Sequence, residues 1–113
     1  MENCQSYVKF LRALASEERL AILEDLEQNG EINASKVENK FFMEQSTASH
    51  HLNVLFKAGL ITPRKTGRNI YYHLNKDSLQ NFYGDFLQAL EQKKEQKRNA
   101  EKIADSAANP AIN

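Results

Sequence analysis

The spacing of helix stop signals restricts the fold more than any other feature of the sequence. Asn29-Gly30 and Gly59 each follow a run of apolar residues at helical spacing. Glycine commonly ends helices because it adopts the left-handed conformation without strain. Ser16 and Asn33 each precede a further apolar pattern, and both residue types are good N-terminal caps. The chain up to Gly59 therefore predicts four short helices, of which the second is expected to bury its leucines: Leu20, Leu23 and Leu26.

Beyond Gly59 the pattern becomes extended and then helical again. The runs ITPRK and NIYYHL are rich in β-branched and aromatic residues and flank Thr66-Gly67-Arg68, which predicts a hairpin. Asp77 and Ser78 can begin a last helix. This helix carries a regular apolar stripe: Leu79, Phe82, Tyr83, Phe86, Leu87 and Leu90. The predicted fold is mostly α with a small β-hairpin wing (α+β), in the order ααααββα.

Length and composition divide the chain into one domain and a tail. With 113 residues the chain has the size of a single compact domain, which we assign to residues 1–92. Residues 93–113 carry charges of both signs and almost no large apolar side chain, which predicts a charged, flexible C-terminal tail. A solvated helical extension that frays near Lys102 is the alternative.

The distribution of charge suits a polyanionic partner. The formal net charge is zero, but residues 41–75 hold Lys57, Arg64, Lys65 and Arg68 against the single acid Glu44. A locally basic surface can contact phosphates, while a neutral total keeps non-specific binding low.

The helix that ends near Gly59 has two different faces, and its adjacent histidines belong to different ones. At about 100° per residue, His51 falls on the apolar arc with Ala48, Leu52 and Leu55, where it would brace the helix. His50 falls on the opposite, polar arc. Small polar groups and a cation match base edges and phosphates in a major groove, although an ordinary solvated surface is the alternative. The candidate DNA contacts of this recognition helix are Gln45, Ser46, Thr47, Ser49, His50, Asn53 and Lys57.

The hairpin supplies the second half of a DNA-binding arrangement. Arg64, Lys65, Arg68 and Asn69 lie near its tip. One helix in the major groove and a wing along the neighbouring backbone is a known way of docking on DNA. The predicted partner is therefore double-stranded DNA.

A longer stretch carries a family resemblance. The helix-turn-helix and wing of the ArsR family of bacterial winged-helix repressors are similar to residues 31–74, EINASKVENKFFMEQSTASHHLNVLFKAGLITPRKTGRNIYYHL. The family's second helix resembles residues 11–23, LRALASEERLAIL. The resemblance implies a transcriptional regulator that binds an inverted-repeat operator as a symmetric homodimer. It also implies an effector, a small molecule or a protein, that releases the DNA.

The resemblance places the dimer interface on the first and last helices. The candidate interface residues are Tyr7, Phe10, Leu11, Leu14, Leu79, Phe82, Tyr83, Phe86, Leu87 and Leu90. The aromatic residues among them could line a pocket for an apolar ligand or form ordinary core.

Two positions depart from the family pattern. Phe42 stands where the turn usually has glycine, and Glu44 stands where a Ser or Thr usually caps the recognition helix. These departures predict either a turn of different shape or a Glu44 side chain that points away from the DNA.

Many ArsR relatives sense metals, but this sequence lacks the cysteine and histidine ligands that they use. The helix before the recognition helix, ASKVENKF, has no cysteine, and the last helix up to Gln92 has no histidine. Its carboxylates, Asp77, Asp85 and Glu91, lack the imidazole partners that borderline metals favour. His50 and His51 point about 100° apart and cannot converge on one ion. We expect no metal and no cofactor.

Other classes of function are less consistent with the sequence. The single cysteine, Cys4, excludes an intrachain disulfide. No apolar run is long enough to span a membrane and no signal peptide is recognisable, so we expect a cytoplasmic protein without a membrane partner. Neither a nucleophile–base pair nor a phosphate-binding loop is present, so we do not expect an enzyme. The rival function is a winged-helix protein-interaction module that does not bind DNA directly.

Overall fold

The computed structural model describes residues 4–108, and the side chains of residues 7–92 and of a few positions beyond them. The elements in chain order are α1 (Cys4–Leu14), α2 (Glu17–Asn29), α3 (Ala34–Phe41), α4 (Gln45–Lys57), β1 (Ile61–Thr66), β2 (Asn69–Leu74) and α5 (Lys76–Ala108). The predicted order ααααββα is confirmed.

The predicted caps and stop signals form as expected. The Ser16 hydroxyl accepts a hydrogen bond from the Arg19 backbone N–H at 3.3 Å, and Asn33 Oδ1 accepts one from the Lys36 N–H at 2.8 Å. Each bond satisfies an N–H that the first turn of a helix leaves without an intrahelical partner. Gly30 (φ 89°) and Gly59 (φ 81°) both have the left-handed backbone of a helix stop.

The start of α5 differs slightly from the prediction. Asn75, and not Asp77 or Ser78, is the capping residue, because its Oδ1 accepts a hydrogen bond from the Ser78 N–H at 3.2 Å. The Asn75 Nδ2 also donates to the carbonyl of Gly59 at 3.1 Å. One side chain therefore begins α5 and ties it to the link that follows α4.

The core is formed where α1, α2, α3 and α4 meet the base of the hairpin. Its buried apolar residues are Phe10, Ala13, Ile22, Leu23, Leu26, Ile32, Val37, Ala48, Leu52, Leu55, Leu60 and Ile61. Leu23 and Leu26 are buried as predicted, but Leu20 is 44% exposed. At about 100° per residue, Leu20 lies roughly 160° from the fully buried Ile22, so the helix cannot bury both. The expectation for Leu20 is wrong.

A buried carboxylate connects α2 to α3. Asp25 is 3% exposed; Lys40 Nζ donates a hydrogen bond to its Oδ1, and Asn29 Nδ2 donates to the same oxygen at 2.6 Å. Burial by itself raises the pKa of Asp25. The hydrogen bonds from Lys40 and Asn29, and the positive charges of Lys40 and Lys36, outweigh burial and hold that pKa below its ordinary value.

The hairpin is antiparallel and is attached to the helical part by backbone hydrogen bonds. Its register pairs Ile61 with Leu74 at the base and Thr66 with Asn69 at the tip. Gly67, with φ 61°, supplies the positive φ that a tight hairpin turn requires. Tyr72 N–H donates to the Ile32 carbonyl at 2.8 Å, and Ile32 N–H donates to the Tyr72 carbonyl at 3.1 Å. This bridge fixes the wing to the link between α2 and α3.

Aromatic side chains join α5 to α1. The Phe82 ring stacks on Phe10 with 4.0 Å between the ring centroids, and Tyr7 packs against Phe82 and Phe86 at 5.7 and 5.4 Å. Helix α5 then continues without a break through Ala108. Residues 93–108 therefore form the helical extension, while the rest of the predicted tail, residues 109–113, lies outside the described residues. The domain boundary at residue 92 stays a prediction.

Within residues 4–108, no helix is both long enough and apolar enough to cross a membrane.

Candidate nucleic-acid interface

The turn between α3 and α4 keeps a glycine-type geometry although it contains phenylalanine. Phe42 has φ 54° and ψ 46°, in the left-handed region, and ends α3. Its side chain is 95% exposed. The Met43 N–H closes the turn by donating to the Glu38 carbonyl at 3.0 Å. The departure from the family pattern at Phe42 therefore leaves the helix-turn-helix backbone intact, at a conformational cost of about 1–2 kcal/mol for a residue with a Cβ.

The second departure, Glu44, occupies the N-terminal cap position of α4. Its side chain is exposed and makes no capping hydrogen bond. A carboxylate near the positive end of a helix dipole is electrostatically favourable. The first-turn N–H groups that a Ser or Thr would satisfy at this position are therefore left to solvent or to a ligand.

Helix α4 exposes one face and buries the other. Ala48 and Leu55 are 0% exposed and Leu52 is 2% exposed. Phe56 is 47% exposed, because it lies about 80° from Ala48 at the edge of the packed face. All the predicted DNA contacts of the recognition helix are exposed, namely Gln45, Ser46, Thr47, Ser49, His50, Asn53 and Lys57.

His51 lies on the packed face of the recognition helix, as predicted. It is 8% exposed, and its Nε2 lies 2.7 Å from Glu18 Oε2. Its Nδ1 lies 3.2 Å from Arg19 Nη1. A guanidinium only donates, so Nδ1 is the acceptor and the ring proton sits on Nε2, where it is donated to Glu18. His50, by contrast, is exposed.

Arg19 extends this contact to α1. Its Nε donates to the Ala13 carbonyl at 2.7 Å, and its Nη2 donates to the Arg12 carbonyl at 2.9 Å. The orphan carbonyls at the end of α1 are thereby satisfied. One arginine and one histidine hold α1, α2 and α4 together. Sequence reasoning identified His51 but missed its partners, since Glu18 and Arg19 are distant in sequence and carry no periodic signal.

The predicted DNA contacts of the wing are all at the surface, but they differ in whether they already form an ion pair. Arg64, Lys65, Arg68 and Asn69 are all exposed. Arg64 is already engaged, because its Nη2 lies 2.9 Å from Glu31 Oε2 and its Nη1 donates to Thr66 Oγ1 at 2.8 Å. Among the residues that the structure describes, Lys65 and Arg68 form no ion pair. The unpaired positive charge of the wing is therefore concentrated at Lys65 and Arg68.

The predicted dimer residues separate into three groups by their exposure in the protomer. Phe10, the first group, is only 6% exposed and belongs to the protomer core. Residues of the second group are partly buried against that core: Tyr7, Leu14, Leu79, Phe82 and Phe86. The third group is exposed: Leu11 (42%), Tyr83 (73%), Leu87 (44%) and Leu90 (45%).

In residues 4–108 the structure brings together no group of three or more His, Cys, Asp or Glu side chains that could hold a metal ion. His73, on β2, lies 3.4 Å from Glu31, in the same exposed cluster as Arg64.

A short helix, a tight turn, a helix with an exposed polar face and a basic hairpin define a winged helix-turn-helix protein. Comparison with known proteins agrees with this class. Residues 14–64 match a helix-turn-helix domain family. YceK of Bacillus subtilis, an uncharacterized HTH-type transcriptional regulator, is 36% identical over 87 residues, covering 76% of this chain and 87% of the relative. The arsenical resistance operon repressor of Bacillus subtilis is 32% identical over 93 residues, covering 82% and 89%.

A solved structure shows the same likeness. The homodimeric winged helix-turn-helix DNA-binding domain from Mycobacterium bovis is 28% identical, with a TM-score of 0.61, and the match covers 80% of this chain and 84% of that one. The chain belongs to the ArsR family of helix-turn-helix transcriptional regulators. Its relatives are regulators and not enzymes.

Proposed function

We propose that the protein is a sequence-specific repressor that binds an inverted-repeat operator as a homodimer, and that it acts by binding and not by catalysis. The observation that carries this proposal is the exposed polar face of α4 beside a basic wing tip, while the other face of α4 is locked into the core. The relatedness to an arsenical resistance operon repressor supports repression as the mode of regulation.

Base reading is assigned to the middle of the exposed face. Ser49, His50 and Asn53 lie on this face and are exposed, and their hydroxyl, imidazole and amide groups can donate to or accept from base edges. Gln45, Ser46 and Thr47 lie at the N-terminal end of α4, where the helix dipole attracts a phosphate.

Phosphate contact is assigned to the cations around this face. Lys57 at the end of α4 and Lys65 and Arg68 on the wing are exposed and would position the protein on the duplex without reading sequence. Arg64 has a different role. Its bond to Glu31 already neutralises much of its charge, so it would orient the wing, with Asn69 at the tip contributing hydrogen bonds.

The dimer interface is assigned to the exposed apolar side chains of α1 and α5. Leu11, Tyr83, Leu87 and Leu90 leave a large apolar surface in contact with water in the protomer, and exposed apolar surface of this kind is typical of interaction sites. Val8, 38% exposed, joins the same group. The Mycobacterium bovis domain, which is homodimeric, supports a second copy of this chain as the occupant.

Selection of bound fragments from genomic DNA, followed by fluorescence anisotropy on the recovered site, tests the DNA claim. We expect His50→Ala/Asn53→Ala to lose preference for the operator, since each good base contact contributes about 1–3 kcal/mol of discrimination. Gln88→Ala, an exposed position on α5, is the control and should bind as the wild type does. Failure to recover any preferred sequence would refute the proposal and favour the protein-interaction module, for which the exposed Glu44 and the zero net charge speak.

Light scattering tests the dimer separately. Tyr83→Asp/Leu87→Asp places two charges in the assigned interface and should give a folded monomer, because an unpaired charge in an apolar contact is strongly unfavourable. The control, Gln88→Asp, changes charge at an exposed polar position and should remain dimeric. A wild-type protein that is monomeric at micromolar concentration would contradict the assignment.

A further inference from the structure

A groove of about 480 Å³ lies between α1 and the first turns of α5. Aromatic side chains form its floor, where Phe10 is buried and Tyr7 and Phe82 are partly buried. Its rim consists of polar side chains, namely Asn75, Asp77, Ser78, Asn81 and Asp85, and Ala58 completes the lining. The volume falls within the range of about 300–1,000 Å³ that is usual for small-molecule sites.

The charges of this lining are all negative. Asp77 and Asp85 are both exposed at the rim, and the described residues of the lining include no Lys, Arg or His. Among the described residues, neither carboxylate takes part in an ion pair. The side-chain oxygens of Asn75, Ser78 and Asn81 add hydrogen-bond acceptors. An aromatic floor with an anionic, acceptor-rich rim suits a ligand that has an apolar body and a positively charged donor group.

The groove lies on a different flank of α5 from the proposed dimer interface. Asp77, Asn81 and Asp85 recur every four residues and therefore form one stripe along the helix. At about 100° per residue, Tyr83 lies roughly 160° around the axis from both Asn81 and Asp85, and Leu87 lies roughly 160° from Asp85 and roughly 120° from Asn81. A partner subunit that packs on Tyr83 and Leu87 would leave the opposite stripe facing the groove.

The groove also touches the end of the recognition helix. Ala58, in its lining, is the C-terminal cap of α4. The adjacent Gly59 accepts the hydrogen bond from Asn75 Nδ2 at 3.1 Å, and a Cβ on Gly59 would lie 3.6 Å from Ser78 Oγ. A ligand that pulls Asn75 or Ser78 toward itself therefore acts directly on the last turn of α4.

We propose that this groove is an effector site for a protonated organic amine with a hydrocarbon or aromatic body. The ammonium group binds at the carboxylate of Asp77, next to Asn75 and Ser78, and the apolar body packs on the floor formed by Tyr7 and Phe82. Occupancy loosens the bond between Asn75 and Gly59 and weakens DNA binding. This last step rests on the proposed function, and a coupling of about 5- to 150-fold is typical of such linked sites.

Calorimetric titration of the full-length protein without DNA tests the site itself. The probes are phenethylamine and putrescine, with phenethyl alcohol and phenylpropionate as neutral and anionic controls. We expect both amines to bind and both controls to bind at least about tenfold more weakly, a difference of ~1.4 kcal/mol. Absence of binding by both amines at millimolar concentration, or equal binding of phenethylamine and phenethyl alcohol, overturns the proposal.

Variants locate the binding on the chain. Asp77→Asn should weaken phenethylamine binding by about tenfold, because it removes the carboxylate that pairs with the ammonium and keeps the shape of the side chain. Asp85→Asn removes a carboxylate about 12 Å further along α5 and should weaken binding clearly less. Glu91→Gln is the matched control, since Glu91 is an exposed acid on α5 outside the groove lining. Equal weakening by all three substitutions would show a general charge effect and refute the site. Circular dichroism of each variant checks that the fold is retained.

Titration of operator DNA at saturating phenethylamine tests the coupling. The apparent Kd for DNA should rise, and by linkage the Kd for phenethylamine should rise by the same factor in the presence of DNA. An unchanged DNA affinity at saturation overturns the effector role. Because the calorimetric measurement uses no DNA, amine binding by a protein that binds no operator would refute the proposed function and leave the site standing.

Discussion

The two faces of α4 carry adjacent histidines and differ in what holds their side chains. His51 is held between Glu18 and Arg19 at 2.7 and 3.2 Å, and Arg19 in turn binds the end of α1. His50 is exposed one residue earlier. The packed face thus fixes the position of the helix, while the exposed face keeps its polar groups available to a ligand. Substitutions on the first face should change stability, and substitutions on the second should change binding.

The largest effect is expected from truncating the packed face. Leu55 is 0% exposed, so Leu55→Ala should lower the free energy of unfolding by about 2–5 kcal/mol through lost burial and the cavity it leaves. Urea denaturation measures the change. Phe56→Ala, at the half-exposed neighbouring position, is the control and should cost clearly less. Equal costs at the two positions would mean that the packed face is not the one described.

The next effect concerns Asp25 of α2, which binds Lys40 of α3. The Asp25→Asn variant should lose roughly 1.5–3 kcal/mol at neutral pH, the contribution of hydrogen bonds to a charged group. Lys40, which loses its anionic partner, is 44% exposed, so solvent limits this loss toward the lower end.

Asp25 also gives the stability a defined pH dependence. Its pKa is lowered in the folded state, so the unfolded chain binds more protons. The stabilisation is complete above the ordinary Asp pKa of about 4 and is lost as pH falls through the lower, folded value. Urea midpoints measured from neutral to acidic pH should therefore converge for wild type and Asp25→Asn at the acid end. A constant difference at all pH values would contradict this account.

A smaller effect is expected from the histidine pair itself. His51→Ala removes the partner of Glu18 and Arg19 and should cost about 1–2 kcal/mol, because Glu18 is half exposed and water replaces part of its bond. His50→Ala should change stability by less than about 0.5 kcal/mol while weakening operator preference. Thermal unfolding and anisotropy on the same pair of variants make the comparison direct, and a reversed order of the two stabilities would disprove it.

The smallest effect on the free energy of unfolding should come from Phe42, in the turn between α3 and α4. Phe42→Gly relieves the strain of a left-handed residue, about 1–2 kcal/mol, but adds freedom to the unfolded chain, about 0.5–1 kcal/mol. A net gain near 0.5 kcal/mol is expected. Phe42→Ala keeps the strain and removes only an exposed ring, so it should not stabilise. A gain in both variants would assign the effect to the ring and not to the backbone.

The parts of this fold that were predictable from sequence are those with local signals. Ser16, Asn33 and Gly30 act within a few residues of themselves, and helical periodicity placed His51 on the packed face. Leu20 was misplaced because leucines at three-residue spacing drift around a helix, and the neighbouring Ile22 competed successfully for the core. The order of elements followed from such signals alone.

The parts that were not predictable depend on contacts between distant residues. The bridge between Ile32 and Tyr72 uses backbone atoms and leaves no side-chain signature. The pairing of Arg64 with Glu31 spans 33 positions, and nothing near either residue indicates it. Asn75 is recognisable as a potential cap, but its second bond, to Gly59, depends on where α4 ends. For the same reason the groove beside Asn75 could not be foreseen, although its carboxylates were visible in the sequence.

The backbone bridge between Ile32 and Tyr72 fixes the position of the wing independently of the side chains of these two residues. Because carbonyl and amide groups attach the hairpin to the helices, Lys65 and Arg68 at its tip can vary without altering where it is held. In the proposed DNA complex, the positive charges on the wing contribute to how steeply DNA affinity falls with salt, whereas the exposed face of α4 reads the sequence. In that complex, ionic-strength sensitivity could be adjusted at the wing, by selection or by design, without changing operator choice.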